Sequence, residues 1–280
     1  MKFEWRQGDG GAKDLVAACY AMMLEEVRHP QYDERELALF YDPLFYYGRY
    51  LNPRTRRYAL ESAVTNVARA IEYLGGAKRG TPRILDLGCG LGMQSIILAA
   101  LGWEVLGIDG DPRCVNLCNK RKKYFEQHLG RPLNLQFVQE DFRKLEPSSL
   151  GGKFDGLFSM SAFVHIPPLH ATVAKISTLL SQEGRVFLWD QNPSYLFRLR
   201  RHHIPSPKEV MREFDRNGFR VTLVDGAGAV PYQIWRYPAL GGVASRLNTL
   251  LSKNLSLSFS YLLGAMRTQA DGLADPAPQD

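Results

Sequence analysis

Two rhythms of apolar positions alternate along this chain from residue 83 onward. Short apolar runs at residues 83–87, 104–109, 133–139, 154–160, 184–190, 219–224 and 257–266 have the length and composition of strands buried in a sheet. Between them lie runs with helical spacing. Residues 96–101 follow the first strand, a helix carrying Cys114 and Cys118 on one face follows the second, and residues 170–180 follow the fourth. The helix before the sixth strand is punctuated at both ends. Ser206 caps it, Pro207 suits its first position, Glu209 completes a capping box, and Gly218 follows its last turn. The turn signal Gln182-Glu183-Gly184 opens the fifth strand. Strands alternating with helices predict a parallel sheet covered on both faces.

The first 80 residues follow a different pattern. Leu15, Cys19, Met22, Met23 and Val27 form a helical stripe over residues 14–28, and residues 58–74 are again helical, stopped by Gly75-Gly76. Between them, residues 40–50 are dense in aromatics, with Pro43 and Gly48 as breakers. We expect a helical, aromatic cap over residues 1–80, a core domain over 81–267 with an inserted lid at 225–254, and a disordered tail from 268 to 280. The fold class is α/β, a doubly wound, mostly parallel seven-stranded sheet whose last strand is antiparallel.

Chemistry concentrates at the strand ends. In RILDLGCGLGMQS, Asp86 precedes the turn Gly88-Cys89-Gly90-Leu91-Gly92, which leads into a helix. Glycine at the first positions of such a turn leaves out the Cβ that would hold a flat ligand off the main chain. A nicotinamide site would read G-x-G-x-x-G with its acid about 20 residues later. Here an acid already stands where a pyrophosphate would come closest, so the ligand should offer Asp86 a cation or a hydrogen-bond donor. The second strand ends in Asp109-Gly110, a carboxylate able to accept from ribose hydroxyls. The third closes on Asp141-Phe142, an acceptor for an exocyclic amine beside a ring able to stack on a purine.

This series, acid and glycine turn, then acid, then acid and aromatic, resembles the class I S-adenosylmethionine-dependent methyltransferases. The resemblance implies that Asp86 and the turn hold the methionine part, Asp109 the ribose, and Asp141 and Phe142 the adenine, with Ser159 at the end of the fourth strand completing the cofactor site. It further implies in-line methyl transfer to an O, N or C atom of a small-molecule acceptor. A base serves a hydroxyl or ammonium acceptor, and His165 in SMSAFVHIPP, at the edge facing the transferable methyl, is the first candidate, with Tyr46 and Tyr47 beside it. Asp190, His202 and His203 are further candidates.

Composition narrows the partners. The net charge of +6 invites a nucleic-acid hypothesis. The basic residues gather at 54–57, at 120–123 on what reads as a solvated helix face, and at 198–203, which is either a solvated loop or the rim of a site for an anionic or aromatic small acceptor. The Asp/Asn-Pro-Pro-Tyr/Phe tetrapeptide of DNA amino-methyltransferases does not occur, because Pro167-Pro168 comes too late and without an acid or aromatic. An RNA or protein methyltransferase using the basic groups, and a catalytically silent cofactor-binding scaffold, are the competing readings. No signal peptide, membrane span or metal site is expected, and a reducing cytoplasm suits the spread cysteines.

Overall fold

The computed structural model describes residues 11–45, 47–76, 80–194, 204–230, 234, 237 and 240–268. Its centre is a seven-stranded sheet in the order β3-β2-β1-β4-β5-β7-β6. The strands are β1 (Arg83–Leu87), β2 (Glu104–Asp109), β3 (Leu135–Gln139), β4 (Phe154–Met160), β5 (Leu180–Gln191), β6 (Phe219–Gly226) and β7 (Ser260–Arg267). Pairing is parallel from β3 to β5, while β7 runs antiparallel between β5 and β6, setting Leu188 opposite Leu263 and Val221 opposite Ala265. The expected fold class is the observed one.

Alternation along the strands explains the layers. Ile84, Val105, Phe137, Phe158, Phe187 and Leu262 point into one apolar layer, and Leu85, Leu106, Leu157, Val186, Leu188 and Leu263 into the other. The first layer is closed by α1 (Ala12–Glu26), α4 (Arg56–Gly75), α5 (Met93–Ala100) and α6 (Pro112–Leu129), the second by α7 (Leu169–Leu179) and α8 (Pro207–Arg216). Every residue of α5 is buried, Gln94 and Ser95 with hydrogen-bond partners and the rest apolar. Short α2 (Glu34–Tyr41) and α3 (Tyr47–Leu51) complete the N-terminal part, and α9 (Gly241–Leu251) lies between β6 and β7. Leu15, Cys19 and Met23 of α1 share one core with Ile96 of α5 and Cys118 of α6, so the N-terminal helices extend the first layer.

Several boundaries differ from the sequence expectation, each for a local reason. The fifth strand starts at Leu180, which pairs with Phe154 ahead of a register shift, and this draws the Gln182-Glu183-Gly184 signal into the strand. The seventh starts at Ser260, because Asn254 accepts from the Ser256 N–H and winds residues 255–257 into a 3-10 turn first. Gly48 breaks nothing and lies inside α3. The capping box of α8 is present as read: the Glu209 N–H donates to Ser206 Oγ at 3.3 Å, and the Ser206 N–H to Glu209 Oε2 at 2.7 Å. The expected tail falls, from residue 269 on, outside the described residues. Among the described residues no helix is long and apolar enough to cross a membrane.

Candidate functional site

The strand order reverses direction at β1, which has β2 on one side and β4 on the other. Chains leaving the carboxyl ends of β1 and β4 turn to opposite faces there, and the crevice they leave is where open α/β sheets bind ligands. The glycine turn lies at that point. Gly88 and Gly90 have φ values of 69° and 53°, a region that side chains disfavour. A Cβ on Gly88 would sit 2.2 Å from the Ala162 Cβ, and one on Gly90 would sit 3.4 Å from the Phe45 ring. The turn is therefore flanked by the loop after β4 and by the aromatic segment after α2. The N–H groups of Gly88 and Cys89 donate to the Ile108 carbonyl, and Gly92 caps α5.

Asp86 and Asp109 sit on either side of this turn, in different settings. Asp109 is half-buried. Its Oδ2 accepts from the Gly90 N–H at 2.8 Å and its Oδ1 from the Asp111 N–H at 2.9 Å, leaving each oxygen a further lone pair. Gly110 beside it opens to solvent. Asp86 is buried and accepts from Ser95 Oγ at 2.5 Å. Burial pushes its pKa up to about 7, against the Ser95 hydrogen bond, with the Asp109 charge adding to the rise.

The other candidates divide. Asp141 caps the short turn after β3 and holds Arg143 through both oxygens, at 2.9 and 2.7 Å, which lowers its pKa to about 2. Phe142 does not present an open ring for stacking: it is 4% exposed and packs in the second core layer. Ser159 is fully buried, with its hydroxyl donating to the Leu87 carbonyl, so it fastens β4 to β1. Tyr47 is buried in the N-terminal core, away from solvent. Tyr46, His202 and His203 lie outside the described residues. His165 is exposed, at the end of the turn Phe163–His165. That turn is held from below by Asp190 at the end of β5, whose Oδ2 accepts from the Val164 N–H at 3.2 Å and whose Oδ1 accepts from the Gln191 N–H at 3.0 Å. Full burial pushes the Asp190 pKa up to about 7. Asp190 is thus placed to position the His165 turn.

The sequence reading of residues 120–123 as a solvated face fails at Arg121, which is wholly buried. Its guanidinium donates to Glu26 of α1 from Nε at 3.0 Å and from a terminal nitrogen at 2.9 Å. It also donates to the Tyr47 hydroxyl at 2.7 Å and to the Leu91 carbonyl inside the glycine turn. The Tyr32 hydroxyl donates to the same Glu26 carboxylate at 2.5 Å. One cation thus joins α1 and α3 to the turn, with Tyr32 held on the same carboxylate. A signal existed: Glu26 continues the Leu15-Cys19-Met22 stripe, and Arg121 continues the Cys114-Cys118 stripe toward Phe125. A charge on each of two apolar stripes calls for the other.

Residues 55–228 match the family model described as a methyltransferase domain. A ubiquinone biosynthesis O-methyltransferase of Glaesserella parasuis serovar 5 (strain SH0165) is 30% identical over 106 residues, 38% of this chain and 44% of that protein. One of Xanthomonas campestris pv. campestris (strain B100) is 33% identical over 106 residues, 38% of this chain and 41% of that protein. The chain thus spans less than half the length of these curated relatives. Among solved structures, the magnesium protoporphyrin IX methyltransferase of Synechocystis PCC 6803, with bound SAM, superposes with a TM-score of 0.52 at 15% identity, covering 94% of this chain and all of that one. The matched stretch runs from the start of α4 through β6, takes in the glycine turn and all three strand-end acids, and is more than half of the sequence: the chain belongs to the methyltransferase-domain family.

Proposed function

We propose that this chain is an S-adenosylmethionine-dependent methyltransferase acting on a small-molecule acceptor. The observation that carries the reading is the pair of carboxylates around the glycine turn: Asp109, half-exposed with acceptor capacity left, and Asp86, buried with no cation among its hydrogen-bond partners. Asp86 and Asp109 would hold the amino-acid and ribose ends of the cofactor, with Asp141 at the far end of the same edge. When bound, the cofactor supplies an activated methyl group on a sulfonium.

The protein's remaining tasks are alignment, exclusion of water and, for a hydroxyl acceptor, removal of a proton. The names of the curated relatives favour an oxygen acceptor. A ring nitrogen of His165 takes that proton, and Asp190 keeps the turn carrying His165 in place through the Val164 N–H. The segment around Phe45, which flanks the glycine turn, and the described part of the insertion after β6 close the mouth over a planar or anionic acceptor. The four cysteines, all free and buried, suit a reducing, cytoplasmic compartment.

The test uses the full chain, S-adenosylmethionine with an isotopically labelled methyl group, and panels of phenolic and carboxylated small molecules beside RNA and protein extracts. Label on a small molecule supports the proposal. Label on RNA or protein replaces the acceptor class, and bound cofactor with no label transfer to any panel overturns the enzymatic reading. With the acceptor in hand, His165→Ala should lower turnover about 10²-fold or more while cofactor affinity stays within about threefold, as expected of a group acting in the transition state. A turnover near wild type would reduce His165 to a surface residue.

A further inference from the structure

Helix α9 rests on the body of the protein through a small face, where Ala244 packs beside Tyr58 and Val230, and leaves its larger apolar side chains outside. Polar groups share that inner face: Ser245 Oγ donates to Glu61 of α4 at 3.2 Å, and Asn248 Oδ1 accepts from the Ala229 and Val230 N–H groups at 2.8 and 3.1 Å. Thr249 and Ser252 line a polar groove facing Thr65, Asn66 and Arg69 of α4. The opposite face carries Leu240, Val243, Leu247 and Leu250, which are 47%, 60%, 44% and 65% exposed. Their 3-4-3 spacing makes one stripe along the helix. Tyr237, 63% exposed, continues the apolar surface ahead of it. A helix normally turns such a stripe toward the core, and a contiguous apolar surface left outside marks a docking site.

Charge indicates what it meets. From Gly226 to Ala270 the sequence has no Asp or Glu and carries Arg236, Arg246, Lys253 and Arg267, although the whole chain has 29 acidic residues. Arg246 and Lys253 are exposed, one within the helix and one just beyond its end. A two-fold contact with a second copy would bring these cations against themselves, with no acid in the segment to pair them. A surface that is apolar at its centre and basic at its margin, on a segment with no acid of its own, is complementary to an anionic bilayer. At 11 residues the helix is too short to span one and has the form of a helix lying in the interface.

We propose that α9 docks this protein on anionic lipid surfaces, with Leu240, Val243, Leu247 and Leu250 entering the headgroup boundary and Arg246 and Lys253 meeting lipid phosphates. The proposal does not depend on the catalytic reading.

The test is flotation of the full chain with phosphatidylcholine vesicles and with vesicles containing about one-third phosphatidylglycerol, at low salt and at about 0.5 M salt, where surface charge is screened. The protein should float with the anionic vesicles at low salt, stay behind with the neutral ones, and release at high salt. Arg246→Gln with Lys253→Gln should weaken binding about fivefold for each cation removed. Leu247→Ser with Leu250→Ser should weaken binding to the anionic vesicles at low salt about tenfold or more. Both pairs are exposed, so the thermal midpoint should not move. Equal binding to neutral and anionic vesicles, no flotation at all, or a dimer in the ultracentrifuge that the leucine pair converts to monomer would each overturn the proposal.

Discussion

The seam between α1, α6 and the glycine turn and the mouth formed by the ends of β1, β4 and β5 both bury charge in apolar surroundings, and they do so in opposite ways. At the seam, Glu26 and Arg121 are both fully buried and pair directly, with Tyr32, Tyr47 and the Leu91 carbonyl taking up further hydrogen bonds. At the mouth, Asp86 has a serine hydroxyl and Asp190 two backbone N–H groups, and neither has a cation among these partners. The Tyr261 hydroxyl, on the residue opposite Asp190 in the β5–β7 register, is buried without a hydrogen-bond partner among the described residues. The seam's charges neutralise one another, and against the effect of burial the Glu26 charge holds the Arg121 pKa above its ordinary value. The mouth's carboxyls are pushed toward neutrality, each to a pKa of about 7. A paired buried charge holds elements together, whereas an unpaired one is a reserve of interaction for a ligand or a moving proton.

The largest effect should come from breaking the seam. Glu26→Ala leaves a buried guanidinium without its counter-charge and should cost about 3 to 5 kcal/mol of stability by chemical denaturation. Glu26→Leu combined with Arg121→Met should recover part of that loss, since an apolar pair of similar volume carries no desolvation penalty, while the Tyr32 and Tyr47 hydroxyls and the Leu91 carbonyl lose their partners. A double variant as unstable as the single one would mean that the pair stabilises the fold through more than mutual neutralisation.

Asp190 sharpens the mouth side of the contrast. Its folded pKa of about 7 lies above the ordinary 3.8, so the folded state holds the proton more tightly than the unfolded chain does. Its contribution to stability is full below about pH 4 and is lost as the pH rises through 7. Asp190→Asn, which cannot ionise, should therefore flatten the fall in stability between pH 5 and 8 by about 2 to 3 kcal/mol, measured as denaturant midpoints at both pH values. An unchanged slope would place the Asp190 carboxylate in its ionised form throughout. The smallest of these effects is at the seam again: Tyr47→Phe removes one hydrogen bond to Arg121 and should cost about 1 to 2 kcal/mol in the same assay, with no change in pH slope.

The contrast also separates what the sequence shows from what it hides. The positions of the strands, the capped α8 and the three strand-end acids are written in local patterns, and these survive folding because each depends on neighbours in the chain. Three things depended on packing. Phe142 follows an acid as a stacking ring would, yet the second core layer takes it. Tyr47 sits in an aromatic run that suited a pocket wall, yet Arg121 draws it into the seam. Arg121 itself stands among lysines and looks solvated until its stripe is read against that of Glu26, 95 residues away.

The central claim is that the edge around the glycine turn holds S-adenosylmethionine, and titration calorimetry of wild type and Asp109→Ala with S-adenosylmethionine and its demethylated product tests it most directly. The account predicts wild-type binding in the micromolar range or tighter, a loss of about 1.5 to 3 kcal/mol in the variant from removing a charged acceptor, and wild-type affinity that climbs with pH up to about 7 as Asp86 gives up its proton. Equal affinity in wild type and Asp109→Ala, or no binding by either chain, would contradict it.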